Sequence, residues 1–272
     1  MAATAQQETP TFDAWATAAT WQAFVDRVHA VADEARLHVD PDGIRTMAVD
    51  PANVAMVDCQ LSGTAFESFT VDAELTIGVN LGRLDDILGL ADSDELVRIA
   101  SDPDDKKLHI DVGSIEYTLA TIEPDSIREE PDIPELDLPA HPVLTGAQLD
   151  RAVTAGDIVY AQSSHGGSSE TIALGFDLDE EIAYASAQGD TDDVRIEWDR
   201  EEMGDGARAD DHAHTLVSLD YMGDVVGVLD DGEVSVDVGE EFPVHFEQAF
   251  ADGNGEVEFL IAPRMATDGG RP

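Results

Sequence analysis

The feature that most constrains the fold of this 272-residue chain is an order of predicted elements that occurs twice. Residues 19–35 place Trp21, Phe24 and Val25 on one helical face, and residues 145–159 repeat that pattern with Leu149 and Val153. In each half, strand-like segments, a shorter helix and further strands follow, and Asn80 is the candidate N-cap of the first short helix. The second half carries two predicted insertions, over 163–170 and 199–214. The halves share few identical residues, so the common order of elements is what indicates an internal repeat. It predicts an α+β fold with two similar domains.

The segment between the two halves, residues 126–139, has a different composition. It contains three prolines and several carboxylates, and Ile127, Ile133, Leu136 and Leu138 interrupt the charge. Proline removes the backbone donors that a helix or a central strand requires, so the segment is predicted to be an extended connector. We therefore expect the following division: a disordered extension over 1–11, a first domain over 12–122, a connector over 123–138, a second domain over 139–265 and a disordered tail over 266–272.

The charge of the chain indicates its surroundings. It has 59 acidic and 14 basic residues, for a net charge of −45, spread over every segment. Such a surface is typical of an intracellular protein in a salt-accumulating cell, where the Debye length at 1 M is about 3 Å. No apolar run of about 20 residues and no signal-peptide pattern is visible, which predicts a cytoplasmic protein that does not bind membranes. The acidity alone does not exclude nucleic acid, because most proteins of such a cell share it.

Catalytic and metal-binding patterns are weak. The single cysteine, Cys59, excludes an internal disulfide and a cysteine-based zinc site. His212 and His214 have the spacing of a ligand pair, but an acidic loop without a third ligand favours a solvated segment. No P-loop or nucleophile elbow is present. We expect no enzymatic activity, cofactor or metal. The alternative, an α+β enzyme with acid-rich metal-binding clefts, would require a defined ligand cluster.

Several segments together resemble the proliferating cell nuclear antigen (PCNA) sliding clamps of haloarchaea. They include "AVDPANVAMVD", "IGVNLGRLDDIL", "YTLATIEPDSIREEPDIPELDL", "SLDYM", "GEEFPV" and "IAPR", in family order from about Phe12 to Met265. The resemblance implies a DNA-clamp fold that closes into a homotrimeric ring, with helices lining the hole and sheets outside. It also implies binding of double-stranded DNA without sequence specificity. DNA polymerase, flap endonuclease, DNA ligase and the clamp loader would be held through short peptides.

The same resemblance implies two sets of contact residues. The partner-peptide pocket would be formed by Val49, Val54, Met56, Pro131, Ile133, Ser218, Pro243, Leu260, Ala262 and Pro263. The trimer interface would pair an edge strand over 106–113 with one over 193–198. It would use Lys107, Leu108, Ile110, Val194, Ile196 and Trp198. Alternation of apolar and polar residues in both stretches is typical of half-buried strands.

The basic residues expected to face DNA are fewer than the family implies. Arg83, Arg151 and Arg27 are the candidates, and Gly223 and Gly227 stand where close relatives have lysine. Two interpretations follow. The chain is a working clamp held on DNA by its closed ring in high salt, or it is a divergent paralogue or scaffold that binds partner peptides but has little DNA affinity.

Overall fold

The computed structural model describes residues 12–102, 106–131, 136–161 and 170–264. Several predictions concern residues outside this part of the chain: the disordered ends 1–11 and 266–272, the connector residue Ile133 and nearly all of the insertion 163–170. Two compact units are present. Of the described residues, unit 1 comprises those within 12–48, 59–130 and 251–255, and unit 2 comprises those within 49–58, 131–250 and 256–264. Residues 49–58, in the first half of the chain, belong to unit 2, and residues 251–255, in the second half, belong to unit 1. The two units therefore cannot be separated by one boundary in the sequence.

Unit 1 contains most of the first predicted repeat. Its elements are β1 (Phe12–Thr17), α1 (Ala18–His29), β2 (Glu34–Asp40), β3 (Gly43–Val49), β4 (Ala55–Ser62), β5 (Ser68–Val71), β6 (Leu75–Asn80), α2 (Leu81–Leu88), β7 (Leu96–Asp102), β8 (Lys107–Val112) and β9 (Ile115–Ala120). One antiparallel sheet has the strand order β5-β1-β7-β8-β9, and β3-β2-β6 are neighbours in another. The last residue of β3 and the first four residues of β4 belong to unit 2.

The helices of unit 1 follow from their sequences. The predicted apolar face of α1 is buried, with Trp21, Phe24 and Val25 in the core. The Asn80 side chain accepts a hydrogen bond from the Arg83 backbone N–H at 2.9 Å, which confirms the predicted N-cap of α2. α1 ends at His29, earlier than predicted, because the chain from Glu34 onward pairs with β6 as strand β2.

The first part of the predicted connector is held by unit 1. The Arg36 guanidinium donates to the carbonyl oxygens of Pro124 (2.8 Å) and Ile127 (2.7 Å), and the Ile127 side chain is buried. His38 Nε2 lies 2.5 Å from a Glu130 carboxylate oxygen. Residues 124–130 are therefore fixed to β2 by side-chain contacts and not only by chain connectivity.

Unit 2 contains the second repeat. Its elements are β10 (Ala140–His141), β11 (Val143–Thr145), α3 (Gly146–Tyr160), β12 (Thr171–Asp177), β13 (Ile182–Gln188), β14 (Asp193–Trp198), β15 (Arg208–Ala209), β16 (Ala213–Ser218), α4 (Leu219–Val226), β17 (Glu233–Asp237), β18 (Val244–Phe250) and β19 (Gly255–Ile261). One sheet has the order β14-β13-β12-β16, and β11-β17-β18-β19 are neighbours in another. The Thr145 and Gln148 side chains form a capping box at the start of α3.

The predicted insertion over 199–214 is an ordered part of unit 2. The Gly204 N–H donates to the Val143 carbonyl at 2.9 Å, and the Asp210 N–H donates to the Pro139 carbonyl at 2.8 Å. β15 also pairs with β10. None of the helices in the described ranges combines the length and the apolar character that a bilayer crossing requires.

Candidate functional site

A buried carboxylate organises the turn between β3 and β4. Asp50 is 4% exposed, and its side chain accepts hydrogen bonds from the backbone N–H groups of Ala52 (2.7 Å), Val54 (2.5 Å) and Ala55 (2.8 Å). The Tyr221 hydroxyl, from α4, donates to the same carboxylate at 2.7 Å. A carboxylate can be buried at low cost when its lone pairs are satisfied in this way.

The two side chains of this contact perturb each other. Burial of Asp50 alone would raise its pKa, but the hydrogen bonds from Ala55, Tyr221, Ala52 and Val54 outweigh it, so the pKa lies below its ordinary value. The hydrogen bond to Asp50 raises the pKa of Tyr221 to about 12. Asp50 is therefore a carboxylate and Tyr221 a neutral donor at any pH near neutrality.

Further hydrogen bonds connect this turn to other segments of unit 2. The Ala262 N–H donates to the Val54 carbonyl at 2.7 Å. Two residues on, the Arg264 N–H donates to the Leu216 carbonyl of β16 at 2.6 Å, and Arg264 Nη2 donates to the Ser218 hydroxyl at 3.2 Å. Three segments that carry predicted pocket residues, 49–56, 216–221 and 262–264, thus meet at one place.

The predicted pocket residues differ in exposure. Val49, Ser218 and Leu260 are buried, and Leu260 is only 4% exposed. Half-buried side chains are those of Val54, Met56, Pro131, Pro243, Ala262 and Pro263. Ile133 lies outside the described residues. The predicted pocket set therefore contains both half-buried apolar side chains and residues that lie in the core.

Sequence reasoning missed three residues of this region. Asp50 could not be distinguished from the many other acidic residues of the chain, and Tyr221 could not be recognised as its partner. Phe242, beside the predicted Pro243, is 51% exposed, and its carbonyl accepts a hydrogen bond from the Thr215 hydroxyl at 2.9 Å. An aromatic residue next to a predicted pocket residue was the available sign for Phe242, because exposed aromatic side chains are enriched at binding surfaces.

The structure corrects one half of the predicted trimer interface. β8, which carries Lys107, Leu108 and Ile110, pairs with β7 on one side and β9 on the other. Its backbone is therefore fully used within the chain, and Ile110 is 0% exposed. The last strand of this sheet is β9, whose second edge pairs with no other strand among the described residues.

The other half of the predicted interface lies where an edge was expected. β14 is the end strand of its sheet and pairs with β13 alone within the described residues. Val194 and Ile196 are half-buried and share one face, whereas Trp198 at the end of β14 is buried in unit 2. Val194 and Ile196 are thus the apolar residues of this strand that are not fully buried.

The predicted DNA-facing arginines are not equivalent. Arg83 on α2 and Arg151 on α3 are exposed. Arg27 is wrong as a candidate, because its side chain is 2% exposed and donates to the Ala23 carbonyl within α1. Arg27 lies about one helical turn from Phe24, on the buried face of α1.

Acidic groups on the helices reduce their positive potential further. Burial and the nearby Asp85 carboxylate on α2 raise the pKa of Asp26 on α1. Burial and Asp220 likewise raise the pKa of Asp224 on α4. The helices of both units therefore hold carboxyl groups that repel each other and would repel a phosphate.

One exposed group has the composition of a metal site. Asp177, Asp179 and His212 have ligand atoms within 4.8 Å of one another, so the fold brings two carboxylates from another segment to His212. The Leu178 N–H donates to His212 Nδ1 at 3.2 Å, which engages the lone pair of that nitrogen. The group is explained by hydrogen bonding on the surface of the sheet, and we assign no metal ion to it.

The two α+β units each contain a long and a short helix, and β9 and β14 are end strands of their sheets. These features are typical of a clamp-type fold. The sequence pattern of the proliferating cell nuclear antigen N-terminal domain matches residues 13–118. Among solved structures, the chain is similar to A. fulgidus PCNA bound to the C-terminal region of FEN-1. That match has a TM-score of 0.83 and 30% identity, over 94% of this chain and 100% of that chain.

Curated relatives extend this similarity over nearly the whole chain. The DNA polymerase sliding clamp of Haloarcula marismortui is 46% identical over 258 residues, which cover 94% of this chain and all of the relative. That of Natronomonas pharaonis is 48% identical over the same length and coverage. The chain belongs to the PCNA family of DNA polymerase sliding clamps. The predicted family and the α+β clamp fold are confirmed.

Proposed function

We propose that this protein is a replication clamp that encircles double-stranded DNA as a homotrimer, without sequence specificity. It would tether DNA polymerase, flap endonuclease, DNA ligase and the clamp loader through short peptides, without enzymatic activity of its own. The observation that carries the proposal is its similarity over the full length of relatives named DNA polymerase sliding clamps. The protein would act at the nucleoid of a high-salt cytoplasm. Along the sequence, we propose a first clamp domain over 12–122, a connector over 123–138 and a second clamp domain over 139–265.

Assembly is supported by two of the sheet ends in the described residues, the unpaired edge of β9 in unit 1 and that of β14 in unit 2. We propose that β9 of one copy pairs with β14 of the next, which closes a ring through identical head-to-tail contacts. On β9, Ile115 and Tyr117 share the face that contains the buried Leu119. On β14, Val194 and Ile196 share the face that contains Trp198. Pairing the two edges would bury apolar side chains on matching faces.

Peptide capture is supported by the half-buried apolar group of unit 2. Peptides that add an extended segment beside a sheet gain affinity from backbone hydrogen bonds and specificity from side-chain pockets. Aromatic anchors supply most of the energy at such sites. Val54, Met56 and Pro263 offer the apolar contacts, and Phe242 adds an exposed ring.

A peptide-binding measurement tests this function. A peptide with one glutamine and two adjacent aromatic residues should bind with a Kd on the order of micromolar, since a short flexible ligand must be ordered on binding. Met56→Asp should weaken binding by roughly 100-fold, because it places a charge against an aromatic anchor. Titration by fluorescence anisotropy in molar salt measures both.

The matched control is Ile182→Asp, which puts the same charge at a half-buried apolar position on β13. It should bind the peptide as the parent does. Equal binding by Met56→Asp and the parent would place the partner site elsewhere on the protein.

A second function is favoured by one observation, the scarcity of exposed basic residues on the helices. In the described helices α1 to α4, Arg83 and Arg151 are the exposed arginines, and lysine is absent. This supports a scaffold that binds partner peptides with little affinity for DNA. Retention on closed circles, argued below, distinguishes the two functions.

A further inference from the structure

The contact between Asp50 and Tyr221 has no part in the peptide site as proposed above, yet it lies beside it. Asp50 is buried, so a peptide cannot reach its carboxylate. Two predicted pocket residues flank it: Val49 is the last residue of β3, and Val54 lies in the turn. The Asn53 backbone has a φ of 57°, in the left-handed region, and its N–H donates to the Asp50 carbonyl at 3.1 Å. The hydrogen bonds of the Asp50 side chain thus stabilise one specific conformation of the turn.

From this turn, contacts run to each neighbouring segment of the pocket. The Val54 N–H is bound by the Asp50 carboxylate, and the Val54 carbonyl accepts the Ala262 N–H. A shift of Val54 therefore moves the acceptor that holds the C-terminal segment. Tyr221 lies on α4, and the N-cap residue of that helix, Ser218, accepts a hydrogen bond from Arg264. The carboxylate is the point at which the three segments are joined.

We infer that Asp50 and Tyr221 are positioning residues for partner-peptide binding, which hold the 50–55 turn, α4 and the C-terminal segment in the arrangement that the peptide requires. The inference rests on the proposed function of this surface as a peptide pocket. It assigns a role in affinity to two side chains that do not themselves contact the peptide.

The physical basis is preorganisation. A peptide that binds a surface already in its bound arrangement loses less free energy to ordering that surface. Without the Tyr221 hydroxyl, one lone pair of the buried carboxylate loses its donor, and a buried charge that is incompletely hydrogen-bonded is costly. The turn would relax to admit water, and Val54 and Ala262 would move with it.

The test compares Tyr221→Phe with a matched control in the same unit. Tyr160→Phe also deletes a tyrosine hydroxyl. That hydroxyl donates to the Thr171 carbonyl at 2.8 Å, at the C-terminal end of α3. Peptide affinity by anisotropy, thermal midpoint and oligomer mass in molar salt are measured for the full chain. Tyr221→Phe should weaken binding of the same glutamine-and-aromatic peptide by roughly five- to tenfold, because only part of the free energy of the lost hydrogen bond is transmitted to the peptide site.

The control separates positioning from general stability. Tyr160→Phe should lower the thermal midpoint at least as much as Tyr221→Phe but leave the peptide affinity unchanged. Asp50→Asn should also weaken peptide binding. The double variant Asp50→Asn with Tyr221→Phe should have the same peptide affinity as the single variant with the larger loss, since both changes remove the same contact.

The outcomes distinguish this inference from the proposed function. If the parent does not bind the peptide, the proposed pocket fails and the positioning role fails with it. If the parent binds and Tyr221→Phe binds equally well, the pocket stands and the positioning role is overturned. Additive losses in the double variant, or an equal loss in Tyr160→Phe, would also overturn it.

Discussion

Replacing Val194 by Asp is expected to convert a trimer into monomers in about 2–3 M salt, where charge on the surface is screened. Val194 is half-buried on the inward face of β14, the end strand of its sheet. If β9 of the next copy pairs there, the new carboxylate would be buried without a partner, at a cost of several kcal/mol at each of three interfaces. Mass measured by light scattering or analytical ultracentrifugation reports the result.

Ile182→Asp again provides the control, because β13 has strands on both sides and offers no free edge. It should leave the trimer intact. Replacing Ile110 would not test the interface, since a charge at that buried position on β8 would disrupt unit 1 itself. A parent protein that is monomeric in molar salt would exclude the ring, and a trimeric Val194→Asp variant would exclude the β14 edge.

Salt should act on this assembly in one direction. With a net charge of −45 on each chain, copies repel strongly when the ionic strength falls. The same mass measurement repeated below about 0.1 M salt, where the Debye length is about 10 Å, should show dissociation.

Local features of the fold were predictable because local interactions decide them. The spacing of Trp21, Phe24 and Val25 fixes the inward face of α1 whatever the remainder of the chain does. Asn80 caps α2 through a contact three residues away. Neither prediction requires knowledge of distant neighbours.

The errors have a common cause, which is that the deciding neighbour is distant in sequence. The sequences of β8 and β9 both alternate apolar with more polar residues, and only the order of strands in the sheet tells which one is the edge. Arg27 lies beside the apolar stripe of α1, and burial against other elements decides its exposure. Asp50 is one of 59 acidic residues until the fold brings Tyr221 to it.

The expected behaviour on DNA depends on topology more than on phosphate contacts. Arg83 and Arg151 would give a trimer about six phosphate contacts, and each contact contributes about 0.9 to the slope of log affinity against log salt. Carboxylates on the other two helices, Asp26 on α1 and Asp224 on α4 among them, oppose binding. We expect almost no stable binding to linear DNA with open ends in molar salt, because the ring can slide off.

Closed-circular DNA should retain a loaded ring, because release requires opening a subunit interface and not only breaking phosphate contacts. Replacing Arg83 and Arg151 together by Ala should speed loss from linear DNA and hardly change retention on circles. Arg200 and Arg208, two exposed arginines of the 199–214 segment, give the matched double control, which should behave as the parent does on both substrates. Gel filtration of loader-treated DNA before and after linearisation measures the retained fraction. If the parent leaves circles as fast as it leaves linear DNA, the ring is not a working clamp, and the peptide-binding scaffold becomes the function that these residues support.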